Sequence, residues 1–265
     1  MIPKIIHYVW VGDAQKPPEV LACIESWRRH CPGWEIREWG NDFVQTTENR
    51  YVREAFAHRK WAFVSDWVRL AVLAQQGGFY LDTDVEANRS FDALCDGRFV
   101  AGWERQNGKT LVGSGILGSV AEGEVVKGLL ALYDDRPFVR ADGELDQTPN
   151  TVLFRDYFAS VWDVRPGDGS ESICFGDGNR ILPCSAFTTR EGFAIHHFNA
   201  SWLDGWLRKV WFRAGRYKLV RFKRRKEAAA HGFRLLDGER MLFSFSLGER
   251  KRVALIRHAG CRKDA

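Results

Sequence analysis

The stretch Ala62–Ala87, AFVSDWVRLAVLAQQGGFYLDTDVEA, constrains the fold of this chain more than any other. From Ala62 to Gln76 the apolar residues Phe63, Trp67, Leu70, Val72 and Leu73 recur at helical spacing. Asp66 and Arg69 stand three apart and so share a helix face. Gly77 and Gly78 stop the helix, because glycine supplies the left-handed turn that other residues resist. Phe79, Tyr80 and Leu81 restart the chain as a short buried strand. Asp82 and Asp84 follow, two apart on an extended chain, with both carboxylates pointing the same way.

Two carboxylates held together at the end of an apolar strand raise each other's pKa unless a cation lies between them. A hard divalent cation with oxygen ligands is the natural partner, and it keeps positions free for water and phosphate. The plainer reading of Asp-Thr-Asp is a solvated strand end or turn. The preceding S-D-x-x-R helix and Gly-Gly break favour the metal reading.

The rest of the chain supplies a fold for this unit. Its 265 residues suffice for one large α/β domain or two small ones. Ile2–Val11 reads as a first strand, rich in β-branched and aromatic residues. It feeds Gly12, which sets Trp10 at the carboxyl edge of a sheet, where open α/β sheets bind ligands. Pro17 and Pro18 open a helix to about Cys31, and Trp34–Trp39 alternates as a half-buried strand. A helix begins near Arg50. Short strands are expected at Arg98–Trp103, Arg180–Cys184 and Phe193–Phe198, and helices at Glu122–Tyr133 and Thr151–Trp162. Leu111–Ser119, LVGSGILGS, is a glycine-rich loop. Asp134–Asn150 is a polar loop placed to act as an acceptor-side lid, and Val164–Asn179 carries no clear pattern. None of the six cysteines forms a C-x-x-C pair, which favours free thiols over a disulfide frame. No apolar run approaches transmembrane length, and the N-terminus reads as strand rather than signal peptide.

Three motifs together resemble glycosyltransferase family 32: the block S-D-W-V-R-L-(x7)-G-G-F-Y-L-D-T-D, the opening I-P-K-I-I-H-Y-V-W, and the closing H-H-F-N-A-S-W. That family covers capsular and lipopolysaccharide sugar transferases and α-mannosyltransferases. The block also resembles the donor site of clostridial glucosylating toxins, whose first strand carries a similar H-F-V-W-I-G-G. The resemblance implies an α/β, GT-A-like (Rossmann-like) catalytic domain. It implies a retaining transfer from a nucleotide-sugar, with Mn²⁺ or Mg²⁺. By it Asp84 binds the ion, while Asp82 contacts the ribose, the sugar or a metal-bound water. Asp66 and Arg69 hold sugar hydroxyls. Trp10 stacks on the base, and Ser65, Tyr80, Ser114, Ser201 and Trp202 complete the donor site. Relatives often place Asn before the glycine where this chain has Ser114. A late histidine completes the metal site. The role goes to His197 rather than His196, because the related pattern is His followed by an aromatic residue. A UDP-sugar is the favoured donor and a glycan or lipid-linked glycan the acceptor.

Beyond a catalytic domain of residues 1–204 the composition changes. Trp206–Lys226 holds ten Lys or Arg and no acid, and without them the chain's formal +5 becomes −5. Trp206, Leu207, Val210, Trp211, Ala214, Tyr217 and Val220 make an apolar stripe at helical spacing. The expectation is a basic amphipathic helical extension, residues 205–265, that docks on an anionic membrane surface. That puts the enzyme in the cytoplasm, peripheral on the inner face. The plainer alternative packs the helix on the catalytic domain. No nucleic-acid motif accompanies the charge. Two further readings are a toxin-like transferase acting on a protein and a non-catalytic membrane-surface module. Short length without delivery modules opposes the first, and the intact Asp66, Arg69, Asp82 and Asp84 oppose the second.

Overall fold

The computed structural model describes residues 1–198 apart from Asn107, together with the backbones of five strands between Trp206 and Arg257. The chain divides into two compact units, Met1–Asn199 and Ala200–Ala265.

In the first unit, β1 (Ile5–Val9), α1 (Pro18–His30), β2 (Glu35–Trp39), α2 (Asn41–Gln45), α3 (Arg50–Ala57) and α4 (Trp61–Gln76) come first. They are followed by β3 (Gly78–Leu81), β4 (Val85–Ala87), β5 (Phe99–Gln106), β6 (Lys109–Val112), β7 (Ile116–Ser119) and α5 (Glu124–Ala131). The unit closes with α6 (Asn150–Val161), β8 (Ile173–Phe175), β9 (Asn179–Leu182) and β10 (Ala194–His196). The main sheet runs β2-β1-β3-β7-β5-β9-β8, with β6 hydrogen-bonded to β5. β2, β1 and β3 are parallel, β7 is antiparallel to both β3 and β5, and β9 is parallel to β5. The carboxyl ends of β1, β2, β3, β5 and β9 therefore lie along one edge, and β7 begins there. This is the expected α/β class, with β7 antiparallel inside the sheet and β8 antiparallel to β9 at its edge.

Both faces of the sheet are covered, which is why its central strands read as unbroken apolar runs. Tyr80 packs with the α4 residues Val64, Val68 and Leu73. Its neighbours Phe79 and Leu81 join the α1 side with Ile24 and Trp27, as strand alternation requires. Two glycines make the α4–β3 corner possible. Gly77 has φ +66°, and a Cβ there would meet the Ala121 nitrogen at 2.6 Å. Gly78 has φ +96°, and a Cβ there would meet the Ile5 carbonyl oxygen at 2.7 Å. His7 braces the same corner: its Nε2 donates to the Gly77 carbonyl at 2.8 Å, while its Nδ1 accepts from Trp39 Nε1 at 3.1 Å.

The glycine-rich segment is two strands, β6 and β7, joined by Gly113–Gly115, and the unpatterned stretch 164–179 contains β8. The five cysteines described are free thiols. No helix among the described residues is long and apolar enough to cross a membrane.

The second unit corrects the expected C-terminal helix. Two segments there form β11 (Trp206–Ala214) and β12 (Tyr217–Arg224), an antiparallel pair. They continue into β13 (His231–Asp237), β14 (Arg240–Leu247) and β15 (Val253–Arg257) as a five-stranded meander. The aromatic and β-branched residues of both segments suit strands. A register shift between Val210 and Phe212 moves the alternation by one residue. That slip lets a strand pattern pass for a helical one.

Candidate functional site

The carboxyl edge of the sheet gathers most of the expected residues. Asp82 follows β3, and its backbone N–H donates to the Gly115 carbonyl at 2.8 Å, fixing it beside the β7 entry. Its side chain accepts from Tyr80 Oη at 2.6 Å. Ser65 Oγ lies 2.7 Å from that hydroxyl, and Arg69 Nη2 donates to Ser65 Oγ at 3.1 Å. Arg69 thus reaches Asp82 through two hydroxyls and also directly, with Nη2 3.4 Å from Oδ1. The guanidinium lies over the Tyr80 ring, 4.5 Å from its centroid.

Asp66 is buried on α4 with Arg69 Nη2 3.0 Å from its Oδ1. A residue that sequence reasoning missed completes this polar ring. Asn150, buried at the start of α6, donates from Nδ2 to Asp66 Oδ1 at 2.7 Å. Asn150 in turn accepts from Ser114 Oγ at 2.9 Å, and the Ser114 carbonyl accepts from Arg69 Nη1 at 2.7 Å. Burial raises the Asp66 pKa to about 7, helped by the Asp82 charge and opposed by Arg69. Burial works against the Arg69 cation too, but Asp82, Tyr80 and Asp66 outweigh it and keep the guanidinium charged. Tyr80 is pushed well above its ordinary range, chiefly by burial, so its hydroxyl stays a donor to Asp82.

The second acidic position meets a histidine across β4 and β10, which pair antiparallel with His196 opposite Val85. His196 Nε2 lies 3.2 Å from Asp84 Oδ1 and 3.8 Å from Asp82 Oδ2. Ligand atoms of Asp82, Asp84 and His196 all fall within 4.8 Å of one another. Two carboxylate oxygens and one imidazole nitrogen at that spacing suit Mn²⁺ or Mg²⁺ and leave room for further oxygen ligands. Burial lowers the His196 pKa, but the hydrogen bond and charge of Asp84, then Asp82 and Glu104, outweigh it, and the net shift is upward.

The structure brings His196, not His197, up to the acidic pair. His197 is turned toward Glu86, with its Nε2 3.0 Å from Oε2. The chain turns at Asp82–Asp84, with Val85 N–H donating to the Asp82 carbonyl at 3.0 Å, and this turn rather than strand alternation brings both carboxylates to His196. Trp10 lies half-buried just beyond β1, with its indole N–H donating to the Ala14 carbonyl at 2.8 Å and Lys16 Nζ 5.7 Å from the ring centroid. Ser201 and Trp202 lie outside the described residues.

Comparison with known proteins points the same way as this geometry. Residues 17–100 match the family described as "Glycosyltransferase sugar-binding region containing DXD motif". An uncharacterised glycosyltransferase of Acanthamoeba polyphaga mimivirus is 25% identical over 218 residues, 76% of this chain and 84% of that protein. The Legionella pneumophila protein named Subversion of eukaryotic traffic protein A is 26% identical over 117 residues, 34% of this chain but 18% of its own length. Among solved structures, a glycosyltransferase involved in the glycosylation of the major capsid of PBCV-1 superposes at TM-score 0.42 and 12% identity, over 76% of this chain and 95% of that one. The chain is a glycosyltransferase, and its acidic pair, Asp82 and Asp84, stands within the matched sugar-binding region.

Proposed function

We propose that the chain transfers a hexose from a nucleoside-diphosphate sugar, with a UDP-sugar favoured, to a hydroxyl of a glycan acceptor in cell-surface polysaccharide synthesis. The transfer is metal-dependent and retains the anomeric configuration. The observation that supports this reading best is the Asp82–Asp84–His196 cluster beside the buried Asp66–Arg69 pair at the sheet's carboxyl edge. The donor set of that cluster supports metal dependence. Retention and the donor class follow from the likeness of the three motifs to family 32 and the toxins.

Asp82, Asp84 and His196 would hold the cation. Once bound, it supplies Lewis-acid neutralisation of the diphosphate charge. The protein's own groups do the rest. Arg69, held cationic, offers donors to sugar hydroxyls. Asp66, with a pKa of about 7, accepts from a hydroxyl when ionised and donates when protonated. Tyr80 and Ser65 fix the Asp82 carboxylate in place. Trp10 offers its ring to the base from the end of β1. The basic segment 206–226 holds the enzyme on an anionic membrane face where lipid-linked acceptors lie.

The test is turnover of UDP-glucose, UDP-galactose and GDP-mannose with Mn²⁺, read as released nucleoside diphosphate. Metal-dependent release from at least one donor is expected, and excess chelator should abolish it. Release that ignores chelator would remove the metal, and no release from any donor would remove the nucleotide-sugar reading.

A further inference from the structure

One buried carboxylate at the same edge belongs to neither the acidic pair nor the Asp66 ring. Glu104 lies near the end of β5, where that strand leaves β9 at Gly102 and turns into the hairpin with β6. It is only 6% exposed. It lines a pocket with Gly113, Gly115, Phe187, His196 and Phe198. The three-residue strip Gly113–Gly115 forms one wall of that pocket and shows how the site is built. A Cβ at Gly113 would sit 3.0 Å from Glu104 Oε2. A Cβ at Gly115 would sit 2.5 Å from His196 Cε1 and 2.9 Å from Asp82 Oδ2. Ser114, between them, turns its hydroxyl to Asn150 instead. Two bare backbone positions thus let Glu104 approach at one and the Asp82–His196 group at the other. Two residues span at most about 7 Å of chain.

Charge decides what Glu104 can serve. A carboxylate repels a diphosphate, so it does not belong on the phosphate side of the cation. It also stands outside the Asp82, Asp84 and His196 ligand set. A hydroxyl is the group such a carboxylate binds well, through a charge-assisted hydrogen bond. The aromatic pocket wall of Phe187, Phe198 and Trp103 suits the apolar face of a sugar ring.

We propose that Glu104 is a catalytic residue of the acceptor side: its carboxylate accepts a hydrogen bond that orients the attacking hydroxyl, or water when no acceptor is bound, while the new C–O bond forms, the bond from the sugar to the nucleoside diphosphate breaks, and the hydroxyl proton leaves on the departing diphosphate. The proposal rests on the nucleotide-sugar reading above. Its test uses the full chain with Mn²⁺ and whichever of UDP-glucose, UDP-galactose or GDP-mannose turns over, comparing wild type with Glu104→Gln and Glu104→Asp. For Glu104→Gln, kcat of donor hydrolysis should fall about 10–100-fold, the size of one lost hydrogen bond to a charged group. Donor KM and Mn²⁺ affinity should stay as in wild type. Glu104→Asp, which keeps the charge on a shorter stem, should retain an intermediate rate, and it carries the test if the Gln variant fails to fold. Wild-type kcat in Glu104→Gln would overturn the proposal, because a structural role is satisfied by the isosteric amide. So would a loss of Mn²⁺ affinity parallel to the loss of rate. Wild-type protein that turns over none of the three donors would overturn both the proposal and the reading beneath it.

Discussion

The Asn150 side-chain amide donates a 2.7 Å hydrogen bond to the Asp66 carboxylate, joining the first residue of α6 to the middle of α4 across 84 positions of sequence. The bond fixes which way Asp66 faces, and the 134–149 loop ends on the residue that makes it. Asn150→Ala should leave Ser114 Oγ without its acceptor and Asp66 with Arg69 as its remaining anchor. A loss of about 1–3 kcal/mol in unfolding free energy is expected, the cost of unpaired buried groups. Donor KM should rise with it. A variant with wild-type stability and KM would show that the amide is dispensable.

The two adjacent histidines should behave differently. His196→Ala removes one of three clustered ligand atoms, so Mn²⁺ affinity should drop at least about tenfold by calorimetry, as Asp84→Ala should also do. His197→Ala removes a contact with the half-exposed Glu86 and touches none of the three clustered ligand atoms. It should bind Mn²⁺ like wild type. Equal losses in both variants would refute the assignment of His196 to the cation site.

How much of this was legible in the sequence depends on the range of the contacts involved. The α4–Gly77–Gly78–β3 unit was readable because helical period, glycine stop and strand restart are all local signals. Asp66 and Arg69 share a helix face as their spacing predicts, but Asp82 and Asp84 lie on a turn rather than on the extended chain expected of them. His196 was not legible, because only the packing of the 82–84 turn against the end of β10, some 110 residues later, tells which of two neighbouring histidines meets Asp84. Asn150 and Glu104 carry no motif at all. Their roles exist only once α6 and β5 meet the carboxyl edge. The expected C-terminal helix failed for a local reason. The shift at Val210/Phe212 breaks strand alternation and leaves apolar spacings that mimic a helical stripe.

The basic segment still makes a testable demand, now on strands rather than a helix. Its ten Lys or Arg fall within 206–226 with no acid among them. Each basic residue near an anionic surface is worth about 1 kcal/mol. If half of them reach the surface, about 5 kcal/mol of attraction results before ordering costs, enough for reversible docking. Co-sedimentation should show binding to anionic vesicles at low salt that weakens at high salt, with little binding to neutral ones. Equal, weak binding to both kinds would remove the membrane from the proposed function.

His7 predicts a pH dependence of stability. The ring is fully buried, with Nε2–H donating to the Gly77 carbonyl and Nδ1 accepting from the Trp39 indole, so it is neutral. Burial is the main cause that lowers its pKa to about 4, against the opposing Gly77 hydrogen bond. In the unfolded chain the pKa is about 6.5. Above pH 6.5 neither state binds the proton, and the contribution of neutral His7 is present in full. Between about pH 6.5 and pH 4 the unfolded chain takes up a proton that the folded one does not, so stability falls as pH falls. The loss across that window is about 3 kcal/mol, and it levels off below pH 4, where the folded ring is also protonated. Protonation at Nδ1 also abolishes the bond from Trp39, so Trp39 fluorescence should report the same step. Urea unfolding at pH 7.5, 6.5, 5.5 and 4.5 should show wild type and His7→Gln converging as pH falls, because Gln keeps a donor for Gly77 and has no proton to gain. Two curves that stay parallel across the window would mean that His7 does not govern the acid sensitivity of the α4–β3 corner.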